Sequence, residues 1–292
     1  MTQHELSIMN DDDIIEYARE HRMLLREKRC LKCKKMCNFD SKVNAFRCQK
    51  SCKGKKCNYY LSLHKNTFFE QAQLSVKQVL LFSRYFCYGN FSVSNVKFSM
   101  RLSSKTAVDW NSFCREVAIN LCMDNNEMLG GKDVVVEVDE AKFGKRKGHK
   151  GRKIEGVWVF GAFERESKKL CVAPVVSRDS KTLVAIIKKW IKPGTTIMSD
   201  CWPSYQCLEQ HDYLHLTVNH SLNFVDPETG AHTQNIERSW RDLKDVIPKY
   251  GRKKAHTLGY LARALMLKKW KDPAECYHQF LFAAAKLYNP GC

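Results

Sequence analysis

The residues able to do chemistry fall into two sets, acids set apart along the chain and clustered cysteines. The run "VVVEVDEAKFGKRKGHKGRK", residues 134–153, places Asp139 and Glu140 where an apolar stretch meets a dense basic patch. Asp200 closes "TTIMSD", and Glu237 lies in "HTQNIERSWRDLK". Carboxylates with no basic partner in the same run are hard oxygen ligands of the type taken by Mg²⁺ or Mn²⁺. Asp139, Asp200 and Glu237 brought together would hold two such ions. Paired ions activate a water or a 3′-hydroxyl and stabilise the leaving oxygen of an in-line phosphodiester displacement. A single strand-end Asp more commonly serves a turn; the set of three carries the reading.

Neighbouring acids sort by strand alternation. Glu140 points to the face opposite Asp139, and Glu137 shares the Asp139 face but lies deeper. His232 is an auxiliary candidate near Glu237. Lys142, Lys145, Arg146, Lys147, Lys150, Arg152 and Lys153 follow the first acid directly, and Arg241 and Lys244 share a helix rim with Glu237. These nine cations are read as phosphate contacts of DNA. A solvated loop or a nuclear-import signal is the rival reading of the run after Asp139.

Of the 14 cysteines, Cys30, Cys33, Cys37, Cys48, Cys52 and Cys57 lie in one short segment. Cys30-x2-Cys33 is a knuckle-type pair that presents two thiolates to one tetrahedral zinc, with the second pair drawn from Cys48, Cys52 and Cys57. So small a segment, poor in aliphatic residues, needs a metal to fold.

The elements that must position these groups can be read from hydrophobic period. Residues 1–29 form a leader with a helix from Asp13 to Glu27, residues 30–68 the cysteine module, and residues 69–130 a helical, helix-turn-helix-like region. In the last of these, Val108, Trp110, Phe113, Val117 and Leu121 form one apolar stripe. From residue 131 to 292 the pattern becomes three strands, helix, strand, helix, strand, helix, with Asp139 ending the first strand and Asp200 the fourth. Ile236, Trp240, Leu243 and Ile247 make the buried stripe of the helix that carries Glu237.

The formal charge of +18 over 292 residues calls for a polyanionic partner, nucleic acid before membrane. No apolar run approaches the roughly 20 residues that cross a bilayer. The amino terminus lacks the apolar core of a signal peptide, so an intracellular protein is expected.

Taken together, "VEVDEAKFGKRKGHKGR", "VWVFGAFER", "TTIMSDCWPSY", "VNHSLNFVDPETGAHTQNIERSW" and "LKKW" resemble the Merlin superfamily of DNA transposases and its bacterial insertion-sequence relatives. The resemblance is close over residues 133 to about 270. It implies an RNase H-like α/β domain with a mixed sheet, preceded by a zinc-ribbon-like module. It implies a DDE triad of Asp139, Asp200 and Glu237, and divalent-metal-dependent cut-and-paste transposition at terminal inverted repeats. Matching the family's ribbon, "FRC" selects Cys48, and the spacing to "LSLHKNTFF" favours Cys57, beside Cys30 and Cys33. Cys37 and Cys52 depart from that pattern. Implied partners are double-stranded DNA, as transposon ends and target, and further copies of the chain, since both ends must be held together. The nucleus is the expected site in a eukaryote, and the cytoplasm or nucleoid in a bacterium. The rivals are a domesticated, non-catalytic DNA-binding protein and an RNase H-type nuclease.

Overall fold

The computed structural model describes residues 1–52, 54–124, 127–144, 156–219, 222–248 and 253–288. The chain divides into two compact units, Met1–Leu121 together with Met266–Cys292, and Cys122–Leu265. Among the described residues, no helix is long and apolar enough to cross a membrane.

The first unit opens with helices α1 (Gln3–Ile8) and α2 (Asp11–Glu20). Asn10 accepts from the Asp13 amide, and Asp11–Asp13 sit in the first turn, where negative charge suits the helix dipole. The leader helix expected to reach Glu27 stops at Glu20, because Arg22 takes a left-handed backbone (φ 59).

Strands β1 (Asn38–Asp40), β2 (Ala45–Cys48) and β5 (Tyr59–Ser62) form an antiparallel sheet, and β3 (Ser51–Cys52) pairs with β4 (Lys55–Lys56). Helices α3 (Val76–Phe86), α4 (Val93–Ser99) and α5 (Ser104–Asp124) follow. On α5 the buried face is Ala107, Trp110, Cys114, Val117, Ala118 and Leu121, at helical spacing. Val108 and Phe113, expected in that stripe, are exposed.

The second unit is built on a five-stranded mixed sheet. Its strands are β6 (Val135–Phe143), β7 (Val157–Glu164), β8 (Leu170–Val175), β9 (Thr196–Asp200) and β10 (Leu214–Val218), in the order β10-β9-β6-β7-β8. The first three are antiparallel neighbours, while β9 runs parallel to both β6 and β10. This is the mixed α/β sheet that the strand–helix order implied, in the RNase H-like arrangement that the family resemblance implied. Helix α6 (Ser180–Trp190) covers one face, over Val136, Val138, Phe160, Ala162 and Ile197. Helices α7 (Gln234–Val246) and α8 (Thr257–Lys269) cover the other, over Ala141, Phe143, Val159, Phe163 and Val172. Even-numbered β6 residues therefore face α6 and odd-numbered ones face α7.

Helix α9 (Pro273–Leu287) returns to the first unit, although the sequence pattern had run it on with the strand-rich region. Its apolar face carries Tyr277, Phe280 and Leu281. Tyr277 donates to the Leu80 carbonyl of α3 at 3.0 Å, and the Phe280 and Phe86 rings lie 5.8 Å apart. Contacts of such long sequence separation leave no mark in a local pattern.

Candidate active site

Asp139 does not end its strand; it sits mid-way along the nine residues of β6. The parallel pairing with β9 stops at Glu137↔Met198. Extended by two residues, the same register sets Asp139 abreast of Asp200, the last residue of β9. Glu237 lies in the first turn of α7, facing solvent, and accepts a hydrogen bond from the Thr233 hydroxyl at 3.1 Å.

Two contacts pin α7 to β6. The Trp240 indole N–H donates to Asp139 Oδ2 at 2.8 Å. Glu137, fully buried, accepts from Arg165 Nε (2.8 Å), Asn235 Nδ2 (2.7 Å) and the backbone amides of Asn235 (2.9 Å) and Ile236 (3.0 Å). The Thr233 side chain makes no capping bond at the α7 N-terminus. Glu137 fills that role from another element, satisfying the helix's first free amides and its positive dipole end.

The close approach requires a glycine. Gly161 pairs with Asp139 across the sheet, and a Cβ there would stand 2.4 Å from the Trp240 ring.

Burial pushes the Asp139 carboxyl up to about 6. The Trp240 N–H and the Glu140 amide pull it down, and the charges of Asp200 and Glu237 push it further up. Asp139 is thus a buried carboxyl with the charges of Asp200 and Glu237 near it, a setting that favours capture of a cation. The oxygens of the three acids are not a group lying wholly within 4.8 Å of one another. Glu140, on the α6 face as alternation required, is raised to about 8 by burial, then by Asp139 and Asp200, with Arg178 opposing. The Tyr205 hydroxyl donates to it.

Residues 128–265 match the family described as the ISXO2-like transposase domain. An uncharacterized transposase-like protein of Haemophilus influenzae is 30% identical over 94 residues, which are 32% of this chain and 75% of that protein. The chain belongs to the ISXO2-like transposase family. Similar solved structures include the catalytic core domain of BIV integrase (17% identity, TM-score 0.32, 49% of this chain and 92% of that one). A second is a simian T-cell lymphotropic virus intasome in complex with PP2A regulatory subunit B56 gamma (13% identity, TM-score 0.32, 64% and 67%).

In this transposase family member the sequence-derived cations separate into described and undescribed groups. Lys142 is exposed on β6, and Arg241 and Lys244 are exposed on α7, with Lys244 Nζ 5.5 Å from the Phe143 ring centre. Lys145, Arg146, Lys147, Lys150, Arg152 and Lys153 lie outside the described residues. His232 turns Nδ1 toward Glu137, at 3.5 Å, and its carbonyl accepts from Arg165 Nη2 at 2.9 Å. The ring thus lies beside the Glu137–Arg165 pair, with Nδ1 making no hydrogen bond among the described residues.

The first unit of the transposase gathers the four cysteines selected by the family pattern. The sulfurs of Cys30, Cys33, Cys48 and Cys57 lie within 4.8 Å of one another, with Cys30–Cys57 and Cys33–Cys48 each at 3.4 Å. A knuckle presents the first pair: Lys34 donates to the Cys30 carbonyl at 2.9 Å from a left-handed backbone (φ 61), and the Cys33 amide points at Cys30 Sγ at 3.4 Å. Burial pushes the Cys30 thiol up, but the Cys33 amide and the Cys57 thiol outweigh it and hold Cys30 at about 6. Burial and the same sulfurs push Cys57 up to about 12. Four sulfurs at this spacing suit tetrahedral thiolate ligation, which spaces sulfurs about 3.8 Å apart at a metal–sulfur distance of about 2.3 Å. Cys37 is half-buried beside the cluster and is not one of the four.

Glu137 and Trp240 are the residues whose roles sequence reading missed. The available signal for Glu137 was an acid inside "VVVEV", since a buried carboxylate must be satisfied by some partner.

Proposed function

We propose that this transposase cleaves and rejoins DNA strands at terminal inverted repeats, with Asp139, Asp200 and Glu237 as the metal-holding triad. The observation that supports the reading is geometric: the β6–β9 register carries Asp139 abreast of Asp200, and Trp240, on the helix that bears Glu237, donates to Asp139. Hard oxygen donors of this kind fit Mg²⁺ or Mn²⁺. When bound, such ions activate the attacking oxygen and stabilise the leaving one. The chain's own part is placement. Trp240 orients Asp139, Glu137 fixes the helix that brings Glu237, and Lys142, Arg241 and Lys244 offer positive charge to backbone phosphates. The cysteine module is assigned a structural zinc and, with the helices after it, recognition of the ends. Two or more copies are needed to hold both ends at once.

The test is nicking of duplex DNA bearing the inverted repeats that flank the coding sequence, with and without Mg²⁺. Asp139→Asn, Asp200→Asn and Glu237→Gln are each expected to lower cleavage at least about a thousandfold while duplex binding persists, because they remove a metal ligand and little else. Cleavage at the wild-type rate by any one of them removes that residue from the catalytic set. Preference for an RNA–DNA hybrid over duplex DNA would make the chain a nuclease of the RNase H type.

A further inference from the structure

Arg178, between β8 and α6, is the side chain that neither the triad nor the basic patch accounts for. Its guanidinium carbon lies 3.8 Å from the Trp158 ring centre and 4.2 Å from that of Trp202, so two indoles hold the group. The nearest carboxylate oxygen, Glu140 Oε2, is 3.9 Å away, beyond hydrogen-bonding distance, and the Tyr205 hydroxyl already donates to that carboxyl. Among the described residues, the Arg178 side-chain N–H groups make no hydrogen bond, and 29% of the side chain is open to solvent. A guanidinium carries five donors in a planar fork matched to carboxylate or phosphate. Here the aromatic rings fix the plane while the donors stay unused.

The surroundings favour an anion. Lys142 Nζ lies 5.5 Å from the same Trp158 ring, so two cations flank one indole, and Glu140 is the carboxyl group within 4 Å of Arg178. The place is also tied to the acids. Glu140 follows Asp139, and the Trp202 amide donates to Asp200 Oδ1 at 3.1 Å. The Arg178 carbonyl in turn accepts from Trp202 Nε1 (3.2 Å) and Ser204 Oγ (2.7 Å). Beyond Glu137 no described strand pairs with β6 on its β9 side. A nucleic-acid strand crossing that edge meets Asp139 on one face and Arg178 with Lys142 on the other.

We propose that Arg178, clamped between Trp158 and Trp202, is a phosphodiester-binding subsite that grips a backbone phosphate of the DNA strand passing the acidic centre. The proposal rests on the reading of this chain as a DNA-processing enzyme. It assigns Arg178 to substrate positioning, not to the chemical step.

The experiment measures binding of the full chain to a defined 30-base-pair duplex, without divalent metal, across a salt series. Arg178→Gln is expected to weaken binding roughly five- to thirtyfold at 0.1 M salt and to reduce the slope of log affinity against log salt by about 1, the loss of one phosphate contact. Arg178→Lys, which keeps the charge, is expected to restore most of that slope. A folded Arg178→Gln protein with the wild-type slope would overturn the proposal and leave Arg178 as a structural clamp. A second measurement needs no variant. Phenylglyoxal modification of wild-type Arg178, read by peptide mass spectrometry, is expected to slow at least about fivefold under saturating duplex, as a phosphate covers the fork. Equal modification with and without DNA, or none in free protein, counts against the subsite. Nicking is scored separately. If the wild-type chain fails to cleave yet Arg178 shows these effects, the triad assignment falls and the subsite stands.

Discussion

The indole N–H of Trp240 donates to Asp139 Oδ2 at 2.8 Å, so the helix that carries the third acid takes its position from the first. Trp240→Phe keeps an aromatic ring against Gly161 and removes the donor. Mg²⁺-dependent nicking is expected to fall roughly ten- to hundredfold, since misplacing a ligand helix by about 1 Å costs that much. Undiminished nicking by this variant would show that Asp139 is held by other means.

Glu137 is a structural acid in the middle of a candidate catalytic strand. Glu137→Gln leaves the Arg165 charge without its partner and turns an amide toward the α7 amides. Urea unfolding is expected to show a loss of about 3–5 kcal/mol, the usual result of stripping one member from a buried ion pair. A loss below 1 kcal/mol would mean that water or a rearranged Asn235 takes over the role.

Gly161→Ala adds one methyl where the Trp240 ring already sits, 2.4 Å from the new Cβ. Overpacking of this kind costs about 1–3 kcal/mol. Thermal unfolding should register it, and nicking should fall with it as α7 is pushed off β6. A variant as stable and active as the parent would place the helix farther from the sheet than described.

Elemental analysis of the purified chain is expected to find one equivalent of zinc. Cys30→Ser and Cys48→Ser should lose it, and Cys37→Ser should retain it. Because thiols must give up protons to bind metal, retention should weaken as pH falls. Chelator treatment should cost the first unit its cooperative unfolding; zinc lost equally from Cys37→Ser would redraw the ligand set.

What could be read from sequence was whatever repeats locally. The alternation along "VEVDE" placed Asp139 and Glu140 on opposite faces, and the period of "NIERSWRDLKDVI" separated the buried Ile236, Trp240 and Leu243 from the exposed Glu237. Non-local relations stayed hidden. Glu137 meets amides almost a hundred positions later, α9 packs on a helix nearly two hundred residues before it, and no period encodes either. Val108 and Phe113 failed for another reason: both are apolar at helical spacing, yet the buried arc of α5 is centred on Trp110, Cys114, Val117 and Leu121. Arg178 had no motif at all, since its meaning depends on two tryptophans from separate segments.

The two ties between β6 and α7 have matching pitch. Glu137 and Asp139 are one pleat repeat apart, about 6.6 Å along the strand, and Ile236 and Trp240 are about 6 Å apart along the helix axis. Strand and helix are therefore commensurate like rungs between two rails, and a one-residue slip of either rail breaks both rungs together. A shift of register along either element would therefore carry Glu237 away from Asp139 and Asp200 together.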